Sequence, residues 1–158
     1  MFREMRRKAQ QVSREECISI LQLEKRAAFS VIGDDGYPYT VPVNYYYDAE
    51  DGRIYFHCAK EGHKHDAIKA CDKVCFTVWH EDGIEPGSWW YHVTSVVAFG
   101  RAEFLTDNKL KEEKLRKFGM KYFPEVRMLD EEMAQSAQRA DVVAITIEHM
   151  TGKHIREK

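Results

Sequence analysis

Residues 54–68 bring together groups that could hold an anion. They read Ile54-Tyr55-Phe56-His57-Cys58-Ala59-Lys60-Glu61-Gly62-His63-Lys64-His65-Asp66-Ala67-Ile68. Ile54, Phe56 and Cys58 alternate with Tyr55 and His57, which is the period of a strand. The pattern breaks at Gly62, and Ala67, Ile68 and Cys71 follow at helical spacing. The segment therefore reads strand, short turn, helix. Lys60, His63, Lys64 and His65 crowd the turn, although the positive end of a helix dipole disfavours cations. An anion held between them resolves that conflict. Exposed N–H groups, a glycine that admits close approach and a lysine charge make a phosphate site. A solvated loop with surface histidines is the alternative, and this stretch alone leaves both open.

The same region holds His57, Cys58, His63, His65, Cys71 and Cys75, so zinc must be considered. Cys71 and Cys75 straddle an expected helix-to-strand change, and the spacing matches no common zinc module. None of the four cysteines (Cys17, Cys58, Cys71, Cys75) forms a CxxC pair. Cys17, Cys71 and Cys75 read as small buried apolar residues. No GxGxxG, P-loop or GxSxG is present, so dinucleotide, nucleoside-triphosphate and hydrolase-elbow chemistry lack support.

The elements that must position this stretch follow from pattern and punctuation. Ser13-Arg14-Glu15-Glu16 is a capping box, and a helix should run from it to about residue 24. Residues 27–32 read as a strand, and Asp34-Asp35-Gly36 as a hairpin turn. Residues 37–47 form the next strand, rich in Thr, Val and Tyr. Pro38 and Pro42 cannot donate to a ladder, so this strand must be an edge or bulged. Such a backbone can turn its remaining polar groups to a flat heteroaromatic ligand, and Asn44 adds an amide. A turn over residues 48–52 leads into the 54–68 segment. Strand 73–80, a loop at 82–87, the aromatic cluster Ser88-Trp89-Trp90-Tyr91 and a long strand at 91–104 follow. Gly100 marks a bulge or close approach. A helix over 107–123 shows Leu115, Phe118 and Tyr122 on one side and a charged outer face. A short helix at 130–138, a strand at 141–150 and a tail containing Thr151-Gly152-Lys153-His154 complete the chain. About six strands joined mostly by hairpins predict a mainly β fold, an antiparallel barrel with peripheral helices.

At 158 residues with a net charge of −2, the chain reads as one domain with a real core. The charge balance gives no field to attract nucleic acid. No apolar run is long enough to span a bilayer, and residues 1–8 lack the apolar stretch of a signal peptide. A soluble, cytoplasmic protein is expected, without nucleic-acid or membrane partners.

Four motifs in order resemble the FMN-binding split-barrel family related to pyridoxamine 5′-phosphate oxidase, specifically its nitroimidazole-resistance (Nim-type) branch. They are Asp35-Gly36-Tyr37-Pro38-Tyr39-Thr40-Val41-Pro42-Val43-Asn44-Tyr45; Ile54 to Ala59 followed by Gly62-His63-Lys64; Ser95-Val96-Val97-Ala98-Phe99-Gly100-Arg101-Ala102; and Thr151-Gly152-Lys153. The resemblance covers nearly the whole chain. It implies a six-stranded antiparallel split β-barrel that forms a homodimer, with FMN at the interface. Tyr39, Thr40, Val41, Pro42, Val43 and Asn44 would run along the isoalloxazine ring. His57, Cys58 and Ala59 would line the ribityl and phosphate side, and Gly62, His63 and Lys64 would hold the phosphate. Ser95 and Val96 would approach the ring from the partner subunit, and Lys153 is a further candidate. The resemblance makes His57 the candidate catalytic residue, or else a residue that only orients FMN. One position departs from the family: a basic residue often precedes the Ser-Val pair, and here it is Thr94.

The activity implied is an FMN-dependent oxidoreductase, with a small-molecule electron donor and acceptor, nitroimidazoles among the candidates. The flavin performs the transfer and the protein binds and orients it. The alternatives are a non-catalytic FMN binding, storage or sensor protein, a barrel that takes haem or a deazaflavin, and a structural dimer with a vestigial site. The phosphate-type residues Gly62 to Lys64 favour FMN.

Overall fold

A computed structural model of the chain describes residues 1–155 except positions 85 and 88. Its strands are β1 (Gln11–Val12), β2 (Arg26–Ile32), β3 (Pro38–Asn44), β4 (Tyr46–Asp48), β5 (Arg53–Ala59), β6 (Lys73–Ile84), β7 (Tyr91–Phe104) and β8 (Ala140–Ile155). The helices are α1 (Arg14–Leu23), α2 (His63–Ala70), α3 (Asn108–Tyr122) and α4 (Val126–Ser136). All strand pairs are antiparallel, in the order β3-β2-β6-β7-β8-β5-β4, with β1 added on β8.

The sheet curls over one core. In that order β2 and β5 are four steps apart, which would separate them by roughly 19 Å in a flat sheet. Yet Phe29 on β2 and Phe56 on β5 have ring centroids 4.8 Å apart. Phe29, Phe56, Phe76 and Tyr45 are fully buried there, and α1 contributes Cys17, Ile20 and Leu21. Each such aromatic side chain contributes about 1.5–3 kcal/mol by leaving water. On the outer face of β5 and β8, α3 covers Tyr55, Val142 and Ala144 with Leu115.

Several expectations hold. Ser13 caps α1, accepting the Glu16 N–H at 3.1 Å. β3 is an edge strand, as its prolines require. At Gly100 the β7–β8 register shifts, and a Cβ there would stand 2.2 Å from the Thr146 carbonyl oxygen. Both the bulge and the close approach read from that glycine are present.

Others are corrected. The sheet has eight strands, not six, and among the described residues no ladder joins its ends, β3 and β4. The single strand expected over 37–47 breaks at Tyr45, whose ring turns into the core against Phe76. Residues 151–154 are not a tail but the end of β8, paired with both β7 and β1. Pairing with Tyr91 likewise carries β6 to Ile84, into the expected loop at 82–87. Ser88 and position 85 lie outside the described residues. The last helix begins earlier than residue 130, at Val126, and ends at Ser136 before a 3-10 turn. Among the described residues, no helix is long and apolar enough to cross a membrane.

The break at Tyr45 is held by one hydroxyl. Tyr122 on α3 accepts the Tyr45 N–H at 2.9 Å and lies within hydrogen-bond reach of the Tyr45 and Lys25 carbonyls. Tyr122→Phe leaves that half-buried N–H unpaired. The expected loss is about 1–3 kcal/mol of unfolding free energy, read by urea denaturation. An unchanged midpoint would show that the clamp does not hold the β3–β4 junction.

Candidate functional site

The register of the edge strand decides which of its groups are free. Pro38 faces Ile32, Pro42 faces Ala28, and Val41 faces Phe29 across β2 and β3. Opposed residues in an antiparallel pair alternate between those that exchange ladder bonds and those that do not. A proline cannot donate, so residues 38, 40, 42 and 44 belong to the class that turns its backbone away from β2. The N–H groups of Thr40 and Asn44, and the carbonyls of Pro38 and Pro42, therefore face outward. Side chains stand perpendicular to that plane: Val43 is buried, whereas Thr40, Pro42 and Asn44 are exposed.

Beside this edge lies a groove of about 350 Å³, lined by Arg26, Pro42, Val43, Asn44, His57 and Lys64. Four elements supply it. Asn44 at the end of β3 faces Arg26 at the start of β2. His57 comes from β5, and Lys64 from the first turn of α2. Gly62 makes the turn into α2 with φ +114°, a conformation that strains any side-chain-bearing residue. Lys64 Nζ lies 5.4 Å from the centre of the Phe56 ring. The lining thus carries two cations and no carboxylate, beside an edge rich in backbone donors and acceptors. The cations suit a phosphate, and the edge suits the rim of a flat heterocycle.

His57 stands with one side on the groove and the other against α3. Its ring meets Phe118 edge-on, with centroids 5.0 Å apart. Although His57 is exposed by surface area, desolvation by the surrounding protein, with the Lys64 cation, holds the imidazole below the ordinary histidine value, while Glu132 acts in the opposite sense. It is therefore neutral at pH 7 and offers one donor and one acceptor nitrogen.

The remaining sequence-selected residues are placed differently. Tyr39 and His63 stack on each other, centroids 4.0 Å apart, and His63 Nε2 accepts the Asp34 N–H at 3.4 Å. His63 is thus turned toward the 34–36 turn. Val41 packs on the core. The Cys58 thiol is buried in the core, where desolvation pushes its pKa up, and Ala59 is exposed at the end of β5. Val96 is a core residue opposite Val78 and Gly152. Ser95 sits between Trp79 and Lys153 in the ladder. None of Ser95, Val96 or Lys153 lines the groove of their own chain. Thr94 is buried and bonds Asp82 Oδ2 at 3.0 Å and His154 Nδ1 at 2.6 Å. It serves a local polar network where the family often has a base.

Arg26 is the groove residue that sequence reading missed. Its only signal was a basic pair, Lys25-Arg26, directly before the apolar run of β2. Among the described residues, no three His, Cys, Asp or Glu side chains are grouped to hold a metal.

No curated protein matches the chain. Among solved structures, a proposed 5-nitroimidazole antibiotic resistance protein from Bacteroides thetaiotaomicron is similar, with TM-score 0.76 and 22% identity over 91% of this chain and 86% of that one. The flavocytochrome Anf3 from Azotobacter vinelandii is similar at TM-score 0.79 and 25% identity, covering 98% of this chain and 73% of its own. A FAD-binding protein from Mesorhizobium loti is similar at TM-score 0.67 and 22% identity, covering 92% and 97%. The model of the pyridoxamine 5′-phosphate oxidase family matches residues 13–154. That match spans the groove, the edge strand and β2 to β7 with nearly all of β8, and the chain belongs to the pyridoxamine 5′-phosphate oxidase family.

Proposed function

We propose that the protein is an FMN-binding flavoprotein, an oxidoreductase that works as a homodimer on small-molecule donors and acceptors. The observation that carries this reading is the groove itself, with Arg26 and Lys64 beside the free edge of β3. Lys64 and Arg26 would bind the phosphate. The outward N–H groups of Thr40 and Asn44 would bond the polar rim of the isoalloxazine, and Pro42 and Val43 would pack on its plane. The neutral His57 imidazole would stand at the groove wall, able to hold or pass a proton at either ring nitrogen. The bound flavin supplies hydride or electron transfer, so no protein nucleophile is needed.

A second copy completes the site. Ser95 and Lys153 are paired across β7 and β8, and neither lines the groove of their own chain. Around them Trp79, Ile84, Tyr91 and Phe99 leave large apolar surfaces in water on β6 and β7. Such a patch on a sheet suits a symmetric partner. Relatives that bind FAD, and one that is a flavocytochrome, make the cofactor the first thing to identify. The test is the visible spectrum of the protein purified without added cofactor, then release and mass of the chromophore. FMN at about one per chain is expected. A FAD mass would move the phosphate argument to a longer ligand. A haem spectrum, or no uptake of any flavin, would overturn the reading. A monomer in sedimentation would remove the shared site.

A further inference from the structure

A second pocket opens on the other side of His57. It measures about 170 Å³ and lies between α3, α4 and the end of β5. Phe118 from α3 and Leu129 and Met133 from α4 are among its apolar walls. Leu129, Glu132, Met133 and Ser136 all reach it, the i, i+3, i+4, i+7 stripe of a single helix face. Three polar side chains break the apolar lining: the His57 imidazole, the Glu132 carboxylate and the Ser136 hydroxyl. A wider groove of about 630 Å³ shares Leu115, Met133, Ala137 and Ala140 with it, and the pocket is itself partly open to solvent.

We propose that this pocket is a binding site for a small non-anionic molecule of one aromatic ring carrying a hydrogen-bond donor, oriented by His57 and Glu132. Volume sets the size. An apolar space of about 150 Å³ is large enough to take up a benzene ring. The walls set the polarity, because an anion would lose its hydration against Leu129 and Phe118 with no cation in the lining to replace it. Glu132 repels anions in particular. The neutral state of His57 leaves an acceptor nitrogen free for a ring hydroxyl or N–H. The site requires no flavin, although the shared imidazole places any such ligand next to the flavin groove.

Phenol is the probe, with benzoate as the charged control, on the protein as purified and again after any chromophore is removed. Chemical-shift mapping should show phenol contacting Phe118, Leu129 and Met133, with benzoate at least about tenfold weaker. Met133→Trp, which fills the pocket, should weaken phenol binding at least about tenfold and leave flavin affinity within about twofold. Shifts confined to Pro42 and Asn44, or equal binding of benzoate, would overturn the proposal. Wild-type mapping needs no variant, so a misfolded Met133→Trp does not protect it. Phenol bound at Phe118 in a protein that takes no flavin would retain this site while the flavin reading fails; flavin uptake without phenol contact would do the reverse.

Discussion

Lys64→Ala is expected to weaken FMN binding by about tenfold to a hundredfold, with the fold unchanged. Lys64 is one of two cations in the groove. A hydrogen bond to a charged group contributes about 1.5–3 kcal/mol, and each 1.4 kcal/mol is about a factor of ten in affinity. Arg26→Ala should cost a similar factor, and Lys64→Arg should recover most of the loss because the charge is kept. Binding should also weaken as salt is raised, since the site is partly open to solvent. Flavin fluorescence titration measures all four effects, and circular dichroism checks that α2 remains helical. An unchanged affinity in both alanine variants would place the phosphate elsewhere, and the groove would lose its assignment.

Lys114→Met is expected to destabilise the protein by about 3–5 kcal/mol, the range for breaking a buried ion pair. Lys114 is only 5% exposed on α3 and Asp48 1% exposed at the end of β4. Its ammonium lies 2.8 Å from Asp48 Oδ2 and 2.8 Å from Asp51 Oδ2. Lys117 also reaches Asp48, at 3.0 Å, which places the expected loss at the lower end. Burial by itself would raise the Asp48 and Asp51 carboxyls. The hydrogen bonds from Lys114, the Glu50 N–H on Asp48 and the Tyr55 hydroxyl on Asp51 outweigh it, and both carboxyls lie below their ordinary value of 3.8. Their contribution to stability is therefore fully present above about pH 3.8 and is lost as pH falls through the lowered native values. The variant and the wild type should differ most near neutrality and converge in acid, where a protonated Asp48 no longer needs the ammonium. Urea unfolding at pH 7 and at pH 3 reads this. A constant difference at both would mean that Lys114 acts by packing alone.

That cluster also shows where sequence reading stops. The heptad-like spacing of Leu115, Phe118 and Tyr122 gave α3 and its apolar side, and everything between them read as a charged outer face. Lys114 is adjacent to Leu115 and carries the most hydrophilic kind of side chain, so nothing local marks it as buried. Only the arrival of the β4–β5 turn, more than sixty residues earlier in the chain, supplies the two carboxylates that make burial tolerable. Arg26 is the same case in the groove. It precedes a strand as an ordinary solubilising base, and it becomes a phosphate candidate only because β3 pairs back on β2 and α2 packs nearby.

The local steps, by contrast, were determined by the sequence alone. Period-two alternation made the strands, Ser13 placed the start of α1, and Gly62 placed the turn into α2. Pro38 and Pro42 made β3 an edge with half its backbone free, because a missing N–H is a covalent fact that no tertiary context can restore. Strand ends were not determined in this way. β8 runs to Ile155, where 150 was expected, and β6 continues to Ile84, because ladder partners on β7 and β1 extend them beyond where their own residues favour a strand. His57 needed both levels. Its alternation with Phe56 and Cys58 aims it out of the core, and only the packing of α3 and α4 gives its far side Phe118, Glu132 and a pocket. Short-range order follows from covalent geometry and apolar periodicity, whereas the charge and shape around a site are sums over segments distant in the chain.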